Sequence, residues 1–441
     1  MVVPGGARLS RVQQCEERGV SRAGRLGGGT DRTLSGALMP LCCAPPRRTP
    51  FRGRLRATAV LTVCLGSLVP ALVSGDASAV STGTPRPPGD RALDRLIEKF
   101  VDEPGGPPGV IAVLRGDGGS RVVEAGVADL RTGRAPRPDD HMRIASTAKA
   151  FSGAVALSLV DRRRLKLDDT LGERLPRLPD AWGAVTLRQL LNHTSGLPDY
   201  TESPAFLRVL RADPRHRFDS RRLLDHVAGE PLRFAPGTRY RYSNSDNIAV
   251  ALMAEAVTRT PYERLLRELV YRPLGLRDTS LPQGHRMPAP YLHGYDVTGA
   301  PPPEDVSEVL SASGVWASGG IVSTPADMTR FIRGYAGGKL YDRSVVHRQR
   351  RWRSGASEPA GPGHNSVGLG IFRYATRCGV VLGHTGNFPG YTQLAAATPD
   401  GRRSLTFTVT TQINKTLTPA RVKRLRALQE DFVCALLGRR P

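Results

Sequence analysis

Lysine is nearly missing from this 441-residue chain. Of its 63 basic side chains only Lys99, Lys149, Lys166, Lys339, Lys415 and Lys423 are lysine, and the rest are arginine. Arginine keeps its proton at any physiological pH, whereas a desolvated lysine can release it. Cysteine is scarce as well. Cys15, Cys42, Cys43 and Cys64 lie near the front, and only Cys378 and Cys434 follow. There is no C-x-x-C and no H-E-x-x-H, so neither a metal site nor a cofactor is signalled. No G-x-S-x-G elbow is present, which disfavours the α/β-hydrolase route. Aromatic residues make up 6% of the chain. No basic stripe is interleaved with them, which argues against a nucleic-acid partner. Acidic residues number 40, leaving a net charge of +23. That basicity reads as compositional arginine bias, with attraction to anionic cell-wall polymers as the alternative.

The front of the chain does not read as globular. Residues 1–56 carry 11 Arg against Glu16, Glu17 and Asp31. An apolar run from Ala57 to Val73 follows, then the small-x-small pattern Ala77-Ser78-Ala79. Together these read as a secretory signal, so residues 1–79 are expected to be a leader. Met39 offers a more ordinary start, which would make residues 1–38 an over-called N-terminus. Arg47-Arg48 and Leu61-Thr62-Val63-Cys64 resemble twin-arginine and lipid-attachment signals, but their flanking residues fit poorly. An uncleaved anchor is the remaining alternative, although the run is short for a full span. Residues 80–91 are a Pro/Gly linker. After the leader, no stretch is long and apolar enough to cross a membrane. The expected place is therefore secreted or in the cell envelope. Cys378 and Cys434 form an even pair suited to an oxidising compartment. They would be either a bridge closing a loop worth roughly 4 kcal/mol or two buried thiols.

Ala145 to Val160 (ASTAKAFSGAVALSLV) is small, apolar and free of proline, so a helix is expected there with Gly153 as its weak point. Ser146 falls at its start. Lys149, three residues on, shares its face and can reach the hydroxyl. A hydroxyl beside an amine is a nucleophile with its proton acceptor. The helix start adds free N–H groups that favour an oxyanion. Bringing a lysine down toward neutrality takes roughly 4 kcal/mol, within what burial can supply. No other lysine has a serine three positions before it. The plainer reading is an N-cap serine and a surface lysine.

Short strands are expected at 110–114 and 121–125 around Asp117-Gly118-Gly119, and helices at 187–191, 220–229 and 262–270. Asn244 or Ser245 caps an expected helix over 247–258. Tyr242 and Asn244, two apart, point the same way. Residues 282–308 read as a Pro-rich surface excursion. Trp316 to Pro325 is an expected turn into a helix over 326–333. Strands are expected at 367–372, 380–382, 391–397 and 405–409, with a turn at Pro399-Asp400-Gly401. An amphipathic helix over 419–437 should pack on them. The fold class is thus α/β of the α+β type. An antiparallel sheet built from both chain ends is flanked by helices, beside a mostly helical lobe. At His384-Thr385-Gly386, a missing side chain at Gly386 would let a substrate backbone approach the strand.

Ser146-x-x-Lys149, Tyr242-x-Asn244 and His384-Thr385-Gly386 come in that order, from helix, loop and strand. In that order and context the chain resembles the penicillin-recognising serine hydrolases, in the branch of serine D-Ala-D-Ala carboxypeptidases and class C β-lactamases. The runs 191–197, 236–238 and 318–324 support it, and the resemblance spans about residues 92–437. It implies that Ser146 is the nucleophile of an acyl-enzyme, with Lys149 and Tyr242 sharing acid–base work. It implies that Asn244, His384, Thr385 and Gly386 bind substrate, and that the N–H groups of Ser146 and Asn387 form the oxyanion hole. The placement of Cys378 and Cys434 is similar to that of secreted carboxypeptidases in the branch. The implied activity is D-Ala-D-Ala carboxypeptidase on peptidoglycan peptides. Alternatives are a β-lactamase or esterase on the same scaffold, or a silent wall-binding protein. The expected partner is a small peptide, lactam or ester, and the expected state a monomer. One departure stands out. Relatives carry an Arg on the strand before the Cys to hold a terminal carboxylate, and here Phe372 takes that place with Arg373 beside it.

Overall fold

A computed structural model describes residues 90–416 and 418–441 of the protein. The signal run and its cleavage pattern lie outside the described residues, as does nearly all of the linker. The first helix already begins at Asp90, so the last two residues of the expected linker are helical.

Among the described residues, five helices of twelve residues or more organise the fold: α1 (Asp90–Val101), α2 (Ala148–Asp161), α3 (Asn244–Thr258), α4 (Pro325–Ala336) and α5 (Pro419–Leu436). The large sheet contains β1 (Gly109–Gly116), β2 (Gly119–Gly126), β3 (Arg353–Ser354), β4 (His364–Val367), β5 (Phe372–Thr376), β6 (Gly379–Phe388), β7 (Tyr391–Ala397) and β8 (Ser404–Val409). Its order is β2-β1-β8-β7-β6-β5-β4-β3, antiparallel throughout. The two ends of the chain meet where Val110 pairs with Val409 and Ala112 with Phe407. This is the expected class of sheet and helices.

Each face of the sheet is covered. Leu93, Ile97 and Phe100 of α1 follow an i, i+4, i+7 spacing and lie in one apolar cluster. Val422, Leu425, Phe432 and Val433 of α5 join them against Leu405, Phe407 and Val409. The rings of Phe407 and Phe432 meet edge to face at 5.0 Å. Fully burying such side chains contributes about 1.5–3 kcal/mol each. Cys378, in the β5–β6 turn, is bridged to Cys434 on α5. Against the opposite face lies α2, buried from Ala148 to Val160. Phe151 stacks on Phe331 of α4 at 3.6 Å.

Several local expectations change. Gly153 is a point of close approach, since a Cβ there would sit 3.0 Å from Gly370 Cα and 2.6 Å from the Tyr335 hydroxyl. The apolar run 367–372 is a reversal between β4 and β5. Gly370 turns the chain there at φ +67°, and the apolar residues pack under the turn. Residues 220–227 form a 3-10 helix. The helix at Tyr262–Leu266 continues as a π turn through Tyr271. Within the expected turn, Trp316–Gly319 is one short helical turn. The excursion at 282–308 holds a two-residue pairing, Tyr295–Asp296 with Glu304–Asp305, and is tied inward by bridges from Tyr291 to His141 and from Tyr295 to Thr411, with Leu292, Tyr295 and Ser307 buried rather than on the surface. Among the described residues no helix is long and apolar enough to cross a membrane.

Candidate active site

Ser146 is displayed by strain. Ala145 takes a left-handed φ of +51°, a conformation that costs a residue with a side chain about 1–2 kcal/mol. The chain then makes a 3-10 turn over Ala145–Thr147, and α2 proper starts only at Ala148. Ser146 stays partly exposed between buried Ala145 and Thr147. This turn leans on β6 at Gly386, where a Cβ would meet Ile144 O at 2.5 Å. The bare backbone at Gly386 therefore accommodates the chain's own nucleophile turn, which differs from the expected approach of a substrate.

Lys149 is buried, 1% exposed. Its Nζ lies 3.0 Å from Ser146 Oγ, 2.7 Å from Asn244 Oδ1 and 2.8 Å from Ser318 O. A charged amine donates to all three. A neutral one can donate to Asn244 and Ser318 and turn its lone pair toward the serine proton. Burial pushes its pKa down to about 7, while the Asp199 carboxylate opposes that fall. Tyr242 lies with its ring 4.9 Å from the same Nζ. Burial raises its phenol well above the usual value, and the nearby Ser146 hydroxyl opposes that rise.

The first turn of α3 is capped from outside rather than by Ser245 or Asn244. Asp199 Oδ2 accepts both the Asn244 main-chain N–H (2.8 Å) and its side-chain amide (3.0 Å). This turns Asn244 Oδ1 toward Lys149. Ser245 is used otherwise, donating to Pro198 O and accepting from the Tyr200 N–H. Beneath Tyr242 lies His193, ring centroids 4.5 Å apart, which contacts Asp246 at 2.7 Å. Burial pushes the imidazole pKa down to about 3.

A cleft of about 450 Å³ opens onto this group. Ser146, Tyr242, Asn244 and Asn387 line it. Asn387's side chain is engaged by Thr392, Ile413, Gln412 and Asn414. His384 and Thr385 do not line it. Both are buried, and Thr385 Oγ1 donates to Pro359 O at 2.5 Å. Burial pushes the His384 pKa down to about 3, and its ring packs 5.0 Å from Phe372. A strap, residues 356–360, covers this part of β6 and supplies the cleft wall in its place. Arg373 pairs opposite Leu382 and is likewise not part of the lining. Asp199 and the strap carry no sequence signal of their own, and Ser318 stands out only as the start of the supporting run 318–324. Asp199 directly follows the Leu197-Pro198 run and was within reach. Nothing local ties residues 356–360 to Ser146.

Residues 93–431 match the family described as Beta-lactamase. The chain is 30% identical over 261 residues to the D-alanyl-D-alanine-carboxypeptidase/endopeptidase AmpH of Escherichia coli, covering 56% of this chain and 63% of that one. It is 34% identical over 194 residues to the D-aminopeptidase of Brucella anthropi, covering 43% and 36%. The chain thus spans less than two thirds of either relative. Among solved structures, a D-stereospecific amidohydrolase from Streptomyces sp. superposes with a TM-score of 0.65 at 28% identity, over 76% of this chain and 98% of the other.

Proposed function

The chain belongs to the beta-lactamase family of serine hydrolases, and from that premise we propose an exported enzyme that cleaves amides of D-amino acids through an acyl-enzyme on Ser146. The observation that carries this is the buried Lys149 amine, 3.0 Å from Ser146 Oγ with a pKa near 7. A base poised at the working pH combines a large deprotonated fraction with adequate basicity. Tyr242, whose phenol stays protonated there, is the acid.

In the proposed reaction Lys149 takes the serine proton as Oγ attacks the carbonyl carbon. The oxyanion lies toward the N–H groups of Ser146 and Asn387, each donor worth about 3–4 kcal/mol. The C–N bond breaks, and Tyr242 protonates the leaving amine. Water then attacks the acyl carbon and gives its proton to the Tyr242 phenolate. Oγ leaves, taking back its proton from Lys149.

Two substrate forms fit this chemistry. One is carboxypeptidase action on D-Ala-D-Ala peptides of peptidoglycan, supported by the name of the Escherichia coli relative, with Lys415 as the cation in the cleft wall. The other is release of a D-residue that has a free amino end, supported by the D-aminopeptidase relative and by Glu358 in the same wall. His384, Thr385 and Gly386 act here by shaping β6 beneath the cleft.

The test is a fluorescent penicillin followed by intact mass on wild type and Ser146→Ala. Durable label on the wild type alone is expected. Rapid antibiotic consumption would indicate a β-lactamase. Neither label nor consumption, with p-nitrophenyl esters cleaved, would indicate an esterase.

A further inference from the structure

Among the described residues, only two of the nineteen that line the cleft beside Ser146 carry charge, Glu358 and Lys415. Glu358 is exposed to it, and its carboxylate has no hydrogen bond or ion pair among the described residues. Its position is nevertheless built. The Tyr240 hydroxyl donates to Ala356 O at 2.5 Å, on the residue two before it. Ser357 Oγ lies 3.0 Å from the Tyr374 hydroxyl. Thr385 Oγ1 donates to Pro359 O, on the residue just after it. Three anchors therefore fix the chain on both sides of the Glu358 carboxylate. The carboxylate is near enough to Lys149 to influence that amine electrostatically. Burial raises its own pKa, and the positive charges of Lys149 and Lys415 oppose that rise.

A carboxylate held in a substrate cleft selects for a cation. A substrate's terminal carboxylate would be repelled at Glu358 itself, and among the described residues the one cation in the lining is Lys415. We propose that Glu358 is the specificity residue that accepts a protonated amino group of the substrate, so that the enzyme prefers D-residues with a free α-ammonium over their N-acylated counterparts. This rests on the acyl-enzyme reading and chooses between its two substrate forms. The ammonium donates to the Glu358 carboxylate while the neighbouring carbonyl carbon faces Ser146 Oγ. A charge-assisted contact of this kind changes selectivity on the order of ten- to a hundredfold.

The experiment compares D-alanine p-nitroanilide with its N-acetyl derivative on the full chain, for wild type, Glu358→Gln and Glu358→Lys. Wild type should favour the free amine. That preference should collapse ten- to a hundredfold in Glu358→Gln, mainly through KM, and invert in Glu358→Lys. Equal preference in wild type and Glu358→Gln would overturn the proposal, as would a wild type that favours the N-acetyl compound. Should the wild type cleave neither, penicillin labelling of Ser146 separates the failures. With label present, the ammonium preference alone is overturned. With label absent, the acyl-enzyme reading falls and takes the preference with it. A melting curve for each variant shows that a change reports binding rather than folding.

Discussion

Both faces of the sheet are buried, but they are made of different material. The face under α1 and α5 is closed by Leu93, Ile97, Phe100, Phe407 and Phe432, with a disulfide at its edge. The opposite face is covered by α2 and α4, and the helical lobe that α2 shares with α3 buries Lys149, Ser152, His193, Ser195, Asp199 and Asp246 as well as apolar side chains. Burying a polar group without a partner costs about 1–3 kcal/mol, and these groups are partnered. Ser152 Oγ donates to Lys149 O and Asn247 Oδ1, and Ser195 Oγ to Asp246 Oδ1. The first face returns its burial as stability. The second returns part of it as altered proton affinity, with Lys149 brought to about 7.

Three changes probe this division, beginning with the largest. Lys149→Arg keeps the positive charge and removes the base, so kcat/KM should fall roughly 10³-fold. Activity within tenfold of wild type would show that the polar face is not proton machinery. On the other face, Cys378→Ala with Cys434→Ala opens a loop whose bridged residues lie 56 apart. The expected loss is roughly 4 kcal/mol on the chain-entropy measure, read from denaturant melts. The pH profile should not move, and a moved acid limb would mean that the two faces are coupled.

The smallest effect is expected from Asp199→Asn. Activity should fall with pH through about 7 as Lys149 gains its proton. Asp199 holds that pKa up, so losing its charge should shift the acid limb to lower pH. Asn244 would also lose its anchor, lowering kcat about tenfold. A lower kcat with an unmoved limb would reduce Asp199 to a positioning residue with no electrostatic role.

Much of this was legible before any coordinates. The two-residue alternation of β8 and the helical spacing of α5 identify their elements from neighbours a few positions apart. Ser146 and Lys149 meet because a helical turn separates them. The strand expected at 367–372 failed because a glycine reversal lined with apolar residues looks like a strand from composition alone. The cap on α3 escaped notice because it arrives from Asp199, 45 positions before Asn244.

What the sequence by itself determined is therefore the local chemistry: a serine, a lysine one turn on, a Tyr-x-Asn loop, and strands at both ends of the chain. Only the tertiary structure decided how buried Lys149 is, that Asp199 rather than Ser245 caps α3, and that Gly386 makes room for the nucleophile turn. It alone brought Glu358 to the cleft. Proton affinity and substrate charge preference depend on desolvation and on fields from groups distant in sequence, and those exist only once the chain has packed.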